Sequence, residues 1–242
     1  MSAQILSGKD IAAKLLSGLK ADVKKLDPKL VIVQVGDDPA SASYIKQKFK
    51  ACAEVGMRSE HLHLPENCTE KELMDTVQKL NSDRDVTGFI VQLPLPKHLQ
   101  HLVETITERI DPKKDVDGFG AANIGKTFMG KDHEQLPPAT PAGVIYMLES
   151  SGITIEGKHA VIVGRSNIVG KPLAVMLLNR GATVTVCHSK TKDVGAETRK
   201  ADILCAAVGK AKMITADMVK PGAVVIDIGV SRDEEGLKGD VD

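Results

Sequence analysis

Short apolar runs rich in β-branched residues alternate with amphipathic segments along this chain, a pattern typical of α/β proteins. In the first half, apolar residues at helical spacing predict a helix from Lys9 to Leu26. The stretch 41–55 predicts a helix, and another helix within 64–81 is predicted to be capped by Thr69 with Glu72. Strand, helix, strand, helix, strand would form one layer, with predicted strands at KLVIVQVG (29–36) and TGFIVQLPLP (87–96), the latter ended by its two prolines.

The second half repeats this alternation. TPAGVIYMLESSG (140–152) predicts a helix closed by Gly152. Four apolar strands, predicted at 158–164, 182–188, 201–209 and 222–230, have the spacing of a parallel sheet with helical crossovers. The polar, glycine-rich stretch 111–141 is predicted to be loops and a link between two domains, residues 1–121 and 122–242.

Composition excludes several classes of protein. The 242 residues carry 32 basic and 32 acidic side chains, so no bulk field draws the chain to nucleic acid or to a membrane surface. No apolar run has the length of a membrane span, and MSAQILSGKD lacks the layout of a signal peptide. The four cysteines lie far apart without CxxC pairs, which predicts free thiols in the cytoplasm and no metal site.

The segment HAVIVGRSNIVGKPLAVML (159–177) reads as strand, turn and helix. Gly164 would let the backbone turn tightly, and Gly170 would allow close approach of a phosphate near a helix N-terminus. The spacing differs from the G-x-G-x-x-G of the standard dinucleotide fingerprint, so a glycine-punctuated turn without a ligand stays open.

The end of the next strand indicates which dinucleotide would bind. CHSKT (187–191) offers no carboxylate to hold ribose hydroxyls, and Arg165 follows the preceding strand. A basic residue with several hydrogen-bond donors suits a 2′-phosphate, which favours NADP. The alternative is a solvated strand end that binds nothing.

In the first half, SASYIKQKFKACAEV (41–55) contains three lysines that are not equivalent. At helical spacing Lys46 and Lys50 point to solvent, whereas Tyr44 and Lys48 share the edge of the apolar stripe. Lys48 would therefore border the core, where an amine is suited to proton transfer. A snorkelling lysine beside a packing tyrosine is the alternative.

Two further polar features stand out. Gln92 interrupts an apolar run near the C-terminal end of its strand, where open α/β sheets bind ligands. KDVDGFG (114–120) places Asp115 and Asp117 on a glycine-bearing loop, where a carboxylate can bind a donor-rich ligand. The same loop can be a turn built on Asx hydrogen bonds.

Taken together, SYIKQK, GFIVQLPLP, KDVDGFG, PATPAG, VIVGRSNIVGKP, TVTVCHSKT, PGAVVIDIGV and GDVD closely resemble the methylenetetrahydrofolate dehydrogenase/cyclohydrolase family over essentially the whole chain. The resemblance implies two α/β domains, the second a Rossmann-like parallel sheet that binds NADP, with the active site in the cleft between them. It implies oxidation of 5,10-methylenetetrahydrofolate to the methenyl form, hydrolysis to 10-formyltetrahydrofolate, and a homodimer.

The resemblance also implies roles for individual residues. Lys48 would be the central catalytic residue, Tyr44 would stack on the folate, Gln92 would hold and tune Lys48, and Asp117 would bind the pterin ring. The positions that would contact NADP are Gly164, Arg165, Ser166, Ile168 and Ser189.

Two departures from the family pattern affect these expectations. Ala139 replaces the cysteine of the family's PCTPxG motif, and the chain stops at Asp242, where the family normally continues through a glycine-rich segment and a last helix. Three alternatives stay open. The first is a dehydrogenase with little cyclohydrolase activity, since the two sites overlap, and the second is an unrelated oxidoreductase of the shikimate dehydrogenase type. The third is a non-catalytic folate- or nucleotide-binding protein, which the missing C-terminal segment makes credible.

Overall fold

The structure, a computed structural model, describes residues 4–234 and 236–242. Internal contacts divide the chain into two compact units, Met1–Ala122 and Asn123–Asp242. Each unit contains its own parallel sheet, and each is described by itself.

The first unit is built around one short parallel sheet of three strands. Its sheet has the strand order β2-β1-β3, with β1 in the middle and its last five residues, Val31 to Val35, buried. Its elements, in chain order, are α1 (Gly8–Leu26), β1 (Lys29–Val35), α2 (Pro39–Val55), β2 (Arg58–Leu64), α3 (Glu70–Ser82), β3 (Gly88–Val91), a 3₁₀ helix (Lys97–Leu102) and α4 (Val103–Arg109).

Local sequence signals explain where the helices of this unit begin. The Asp38 carboxylate accepts a hydrogen bond from the Ser41 backbone N–H, which caps α2. Thr69 and Glu72 form the predicted capping box at the start of α3, since each side chain bonds the backbone of the other residue. The capping box confirms the predicted start of α3, and both caps satisfy N–H groups that the helices leave unpaired.

The second unit is a parallel sheet with the strand order β5-β4-β6-β7, followed by an antiparallel hairpin, β8-β9. Its strands are β4 (His159–Val163), β5 (Thr183–Cys187), β6 (Ile203–Ala206), β7 (Val224–Asp227), β8 (Val230–Asp233) and β9 (Gly236–Gly239). Its helices are α6 (Ala139–Ser150), α7 (Gly170–Leu178), α8 (Val194–Thr198) and 3₁₀ turns at Lys131–His133 and Ala216–Met218, and α5 (Ala121–Phe128) begins just before this unit.

Both faces of β4 and β6, the two central strands of this sheet, are buried. Ala160 and Ile162 pack with Leu173 and Leu177 of α7 on one side, whereas Val161 and its neighbours pack in a separate cluster on the other. Apolar runs covered on both faces are expected of parallel strands with helical crossovers. The predicted α/β class and the Rossmann-like second sheet are therefore confirmed.

Several details differ from the sequence prediction. β3 ends at Val91, well before Pro96, because the Leu93 carbonyl bonds the side chains of Ser41 and Gln92 and leaves the ladder. The predicted loop stretch 111–141 contains α5 and the first turn of α6, where Gly125 and a start without a polar cap hid the helical signal. The range of β2, an edge strand of alternating exposure, and the β8-β9 hairpin were not predicted.

Candidate functional site

The three lysines of α2 differ in exposure as their spacing predicted. Ile45 and Cys52 are buried, Lys46 and Lys50 are exposed, and Lys48 is partly buried at the edge of the buried face. Helical periodicity alone determines this division because residues four apart share a face.

Lys48 forms a hydrogen bond with the side chain of Gln92. Its Nζ donates a hydrogen bond of 3.1 Å to Gln92 Oε1, across 44 residues of sequence. The amide of Gln92 is oriented by its other end, where Nε2 donates to the Leu93 carbonyl at 2.8 Å. The Ser41 hydroxyl donates to the same carbonyl at 3.3 Å. Gln92 therefore presents its oxygen, and not its nitrogen, to the lysine.

The two carboxylates of the KDVDGFG loop, Asp115 and Asp117, have different surroundings. Asp115 is buried, and its oxygens accept backbone N–H bonds from Gly118 at 3.0 Å and Gly120 at 2.9 Å. Phe89 of β3 donates its backbone N–H to the Lys114 carbonyl at 3.0 Å, which fastens the loop to the sheet edge. Asp115 thus builds the turn, and the Asx alternative describes this residue.

Asp117 is the carboxylate that is available for a ligand. It is partly buried and lines a pocket together with Leu93, Thr107 and Phe119. Burial raises the pKa of Asp117 above its ordinary value, and the nearby charge of Asp115 raises this pKa further, while the charge of Lys48 opposes both. The structure therefore brings Lys48, Gln92 and Asp117 into one neighbourhood.

Tyr44 lies one helical turn before Lys48 and is 50% exposed. Within the part of the chain that the structure describes, its hydroxyl makes no hydrogen bond. A half-exposed aromatic ring beside an amine and an amide is available for stacking on a flat ligand. The alternative of a packing tyrosine is therefore disfavoured by its exposure.

In the second unit, Gly164 and Gly170 form a backbone cradle. Gly164 has φ of +129°, and a Cβ at this position would collide with the Ala207 carbonyl oxygen. A Cβ at Gly170 would collide with the Gly164 carbonyl oxygen. Only glycine fits at either position, so the turn after β4 lies unusually close to the start of α7.

The other predicted cofactor residues surround this cradle at the carboxyl edge of the sheet. Val163 pairs with Cys187, so Arg165 and Ser189 each lie two residues beyond adjacent strand ends. Arg165, Ile168 and Ser189 are exposed. Ser166 Oγ accepts the backbone N–H groups of Val169 at 3.1 Å and Gly170 at 3.3 Å, at the N-terminus of α7.

These residues fit a phosphorylated dinucleotide. A glycine cradle beside a helix N-terminus leaves room for a diphosphate and favours its charge. The turn after β5 is closed by backbone and side-chain bonds among His188, Lys190 and Thr191, and it carries no carboxylate. Arg165 has no ion-pair partner within residues 4–234 and 236–242, so its guanidinium is available to a 2′-phosphate.

Sequence reasoning missed two apolar side chains at this edge. Val208 follows β6 and is 38% exposed, and Val230 begins β8 and is 51% exposed. Exposed valines at the ligand-binding edge of a sheet are candidates to contact a flat ring. The only signal in the sequence was an apolar residue directly beside a glycine after each strand.

The described residues hold no cluster of three or more side chains arranged to bind a metal ion. Among the helices within those residues, none combines the length and the apolar character needed to cross a bilayer.

Comparison with known proteins identifies the family. The family model "Tetrahydrofolate dehydrogenase/cyclohydrolase, catalytic domain" matches residues 6–117, and the model of the corresponding NAD(P)-binding domain matches residues 138–242. These are the two halves to which the folate and dinucleotide features belong. The chain belongs to the tetrahydrofolate dehydrogenase/cyclohydrolase family.

Individual relatives agree with this assignment. The "Bifunctional protein FolD" of Geobacillus thermodenitrificans is 52% identical over 248 residues, which cover 100% of this chain and 86% of the relative. The bifunctional FolD structure from Campylobacter jejuni has a TM-score of 0.95 at 45% identity, covering 100% of this chain and 86% of that one. The Trypanosoma brucei enzyme, solved with NADP cofactor and inhibitor, has a TM-score of 0.93 at 32% identity, covering 100% and 86%.

Proposed function

We propose that this chain catalyses the NADP-dependent oxidation of 5,10-methylenetetrahydrofolate to 5,10-methenyltetrahydrofolate and the hydrolysis of that product to 10-formyltetrahydrofolate. The observation that carries the proposal is the Lys48–Gln92 hydrogen bond beside Asp117, in a chain of this family. An unrelated oxidoreductase of similar fold would not need this set of side chains.

For the oxidation, the protein's task is orientation. When bound, NADP⁺ supplies the acceptor for the hydride of the methylene bridge. Gly164 and Ser166 would hold the diphosphate at the start of α7, and Arg165 with Ser189 would hold the 2′-phosphate. Ile168 would contact the cofactor through its exposed apolar side chain. The lone pairs of the folate nitrogens assist departure of the hydride, so no protein base is required for this step.

For the hydrolysis, the protein must move a proton. Water attacks the methenyl carbon, and Lys48 is the group proposed to accept the proton from this water and to return one when the ring opens. Gln92 Oε1 holds the amine in place through the 3.1 Å hydrogen bond. Tyr44 would stack on the folate, and Asp117 would accept hydrogen bonds from the donor-rich edge of the pterin.

Further properties follow from the same reading. We place the folate-binding catalytic domain in residues 1–121 and the NADP-binding domain in residues 122–242. The four cysteines are buried free thiols, which supports a cytoplasmic location. The family resemblance supports a homodimer, which size-exclusion chromatography with light scattering tests directly.

The decisive experiment is a two-wavelength assay with 5,10-methylenetetrahydrofolate and NADP⁺ that follows NADPH and the methenyl species together. We expect NADPH to form with little methenyl accumulation, because hydrolysis removes it. Lasting methenyl accumulation at the level of NADPH would instead identify a dehydrogenase with little cyclohydrolase activity. Binding of folate and NADPH without NADPH formation would identify a non-catalytic protein and refute the proposal.

A further inference from the structure

Asp240, in the GDVD motif, is a fully buried carboxylate with an unusual set of partners. Its Oδ2 accepts the backbone N–H groups of Val208 at 2.6 Å and Gly209 at 3.1 Å, and its Oδ1 accepts that of Lys210 at 2.7 Å. Three successive backbone amides therefore converge on one carboxylate, about 30 residues away along the chain. Gly209 has φ of +67°, the left-handed conformation that lets neighbouring N–H groups point to one side.

No lysine, arginine or histidine side chain within residues 4–234 and 236–242 forms an ion pair with Asp240. The backbone amides are thus the groups that replace the lost hydration of this charge. Such a concave set of N–H groups is the kind of site that binds external anions elsewhere in proteins. Here the chain supplies the anion itself.

A second carboxylate fixes the position of the first. Asp227, the last residue of β7, accepts the backbone N–H of Asp240 at 2.9 Å and that of Val241 at 3.2 Å. Both carboxylates are closely packed against glycines. A Cβ at Gly229 would collide with the Asp240 carboxylate, and a Cβ at Gly239 would collide with the Asp227 carboxylate. The two carboxylates form a brace between the end of β7 and the loop after β6.

The loop held by Asp240 is one wall of the glycine cradle. It begins at Ala207, whose backbone N–H donates to the Val163 carbonyl at 2.8 Å and whose carbonyl oxygen lies against Gly164. In the strand order β5-β4-β6-β7, chain connections leave β4 and β6 in opposite directions, and ligands of open α/β sheets bind at such a point. The loop 207–210 and the turn 164–170 therefore face the same ligand position.

We infer that Asp240 is a positioning residue for the dinucleotide: its carboxylate holds the loop 207–210 in the shape that NADP binds. The inference rests on the proposed function for the identity of the cofactor. It assigns to the GDVD motif a task in cofactor affinity, and none in the folate chemistry of Lys48.

The test compares Asp240→Asn with Asp242→Asn, a matched control two residues away whose carboxylate is half exposed and pairs with Lys212. The asparagine side chain has the shape of the aspartate, but its NH₂ group replaces one carboxylate oxygen. A hydrogen-bond donor then faces backbone N–H groups that need an acceptor. NADPH affinity is measured by fluorescence titration, and hydrogen exchange of the amides at 208–210 is measured without ligand. Hydrolysis of added methenyltetrahydrofolate consumes no cofactor, so it reports on the first unit independently.

Asp240→Asn is expected to raise the Kd for NADPH by about tenfold, ~1.4 kcal/mol for a loosened charge-assisted network. The amides at 208–210 should exchange faster. Methenyl hydrolysis, kcat at saturating NADP⁺ and the KM for the folate should stay within about twofold of wild type, because the substitution changes cofactor affinity and not the folate chemistry. Asp242→Asn should match wild type throughout. Unchanged NADPH affinity in folded Asp240→Asn overturns the inference, and so does a parallel loss of both activities.

If Asp240→Asn does not fold, Gly209→Ala tests the same inference. Among the described residues, the added alanine Cβ has only the Val230 carbonyl oxygen nearby, at 3.6 Å, so the substitution strains the loop through the positive φ of residue 209 without a collision. We expect a smaller rise in the Kd for NADPH with normal hydrolysis, and an unchanged Kd refutes the inference. A wild-type protein that neither binds NADPH nor reduces NADP⁺ would instead refute the proposed function.

Discussion

Replacing Lys48 with methionine separates the two proposed reactions. The methionine side chain keeps most of the stem of the lysine and its contacts along α2, but it removes the amine. Hydride transfer requires alignment without a protein base, whereas attack of water on the methenyl carbon requires a proton acceptor. The two activities should therefore respond to Lys48→Met to very different degrees.

The structure indicates that the variant will fold. The substitution removes one hydrogen bond, that between Lys48 Nζ and Gln92 Oε1. Gln92 keeps its second bond to the Leu93 carbonyl, and the residue is partly exposed, so water can replace the lysine. We expect a loss in unfolding free energy at the low end of the ~0.5–1.5 kcal/mol typical of a hydrogen bond.

The expected effect on hydrolysis is far larger. Loss of a general acid–base group typically lowers the rate by about 10²–10⁴-fold. Dehydrogenase activity can fall because the ammonium helps to position the folate, but some should persist and methenyl product should accumulate. Gln92→Ala should act in the same direction more weakly, because it frees the amine without removing it.

The assay measures hydrolysis of added methenyltetrahydrofolate and formation of NADPH on the same purified preparations. Lys46→Met and Lys50→Met are matched controls, since both lysines are exposed on the same helix, and both variants should behave as wild type. Hydrolysis near the wild-type rate in folded Lys48→Met would show that Lys48 is not the base. An equal loss in the control variants would trace the effect to the charge of the helix.

Three further predictions concern the rest of the two sites. Arg165→Ala should raise the KM for NADP⁺ by about tenfold or more, ~1.5–3 kcal/mol for a charge-assisted bond, with a much smaller change for NAD⁺; equal responses would remove the 2′-phosphate assignment. Gly170→Ala should cost ~1–3 kcal/mol in urea unfolding because its Cβ meets the Gly164 carbonyl, whereas Gly143→Ala, with open space in α6, should stabilise by ~0.5–1 kcal/mol; similar effects at both sites would contradict the cradle geometry. Burial raises the pKa of Asp117 above 3.8, so the native state binds this proton more tightly than the unfolded chain, and stability falls as pH rises from 3.8 through the raised pKa. Asp117→Asn should abolish folate binding yet raise the urea midpoint at neutral pH, and a lowered midpoint would show that the charge of Asp117 stabilises the ligand-free protein.

Much of the fold follows from local patterns. The helix from Gly8 to Leu26, the capping box of α3 and the buried strands β1, β4 and β6 appear where period, cap and β-branched content predict them. These signals report which face of an element is buried, and burial dominates the free energy of each element. Where that signal is weak or misleading the prediction was incomplete: β2 is an edge strand of alternating exposure, and α5 buries the polar residues Asn123 and Thr127.

Part of the candidate site also follows from local patterns. The sequence by itself separates Lys48 from Lys46 and Lys50, because helical periodicity places only one of them beside the core. It also marks Gly164 and Gly170 as a tight turn before a helix, and the structure adds that a Cβ at either position would collide with a backbone carbonyl. The motif resemblance added the roles, which composition and spacing alone left open.

Other relations were decided only by the tertiary structure. Lys48 meets Gln92 because α2 packs beside a sheet in which β3 pairs with β1. The two residues are 44 positions apart in sequence, and no local pattern predicts a contact at that separation. Asp115 and Asp117 look alike in sequence, yet only folding directs the Asp115 carboxylate to the backbone amides of Gly118 and Gly120 and places Asp117 near the charge of Lys48. Asp240 reaches the loop after β6 only once β7 and the strands around it are in place. Side-chain partners at long separation depend on which elements pack together, and local patterns record only the face that each element buries.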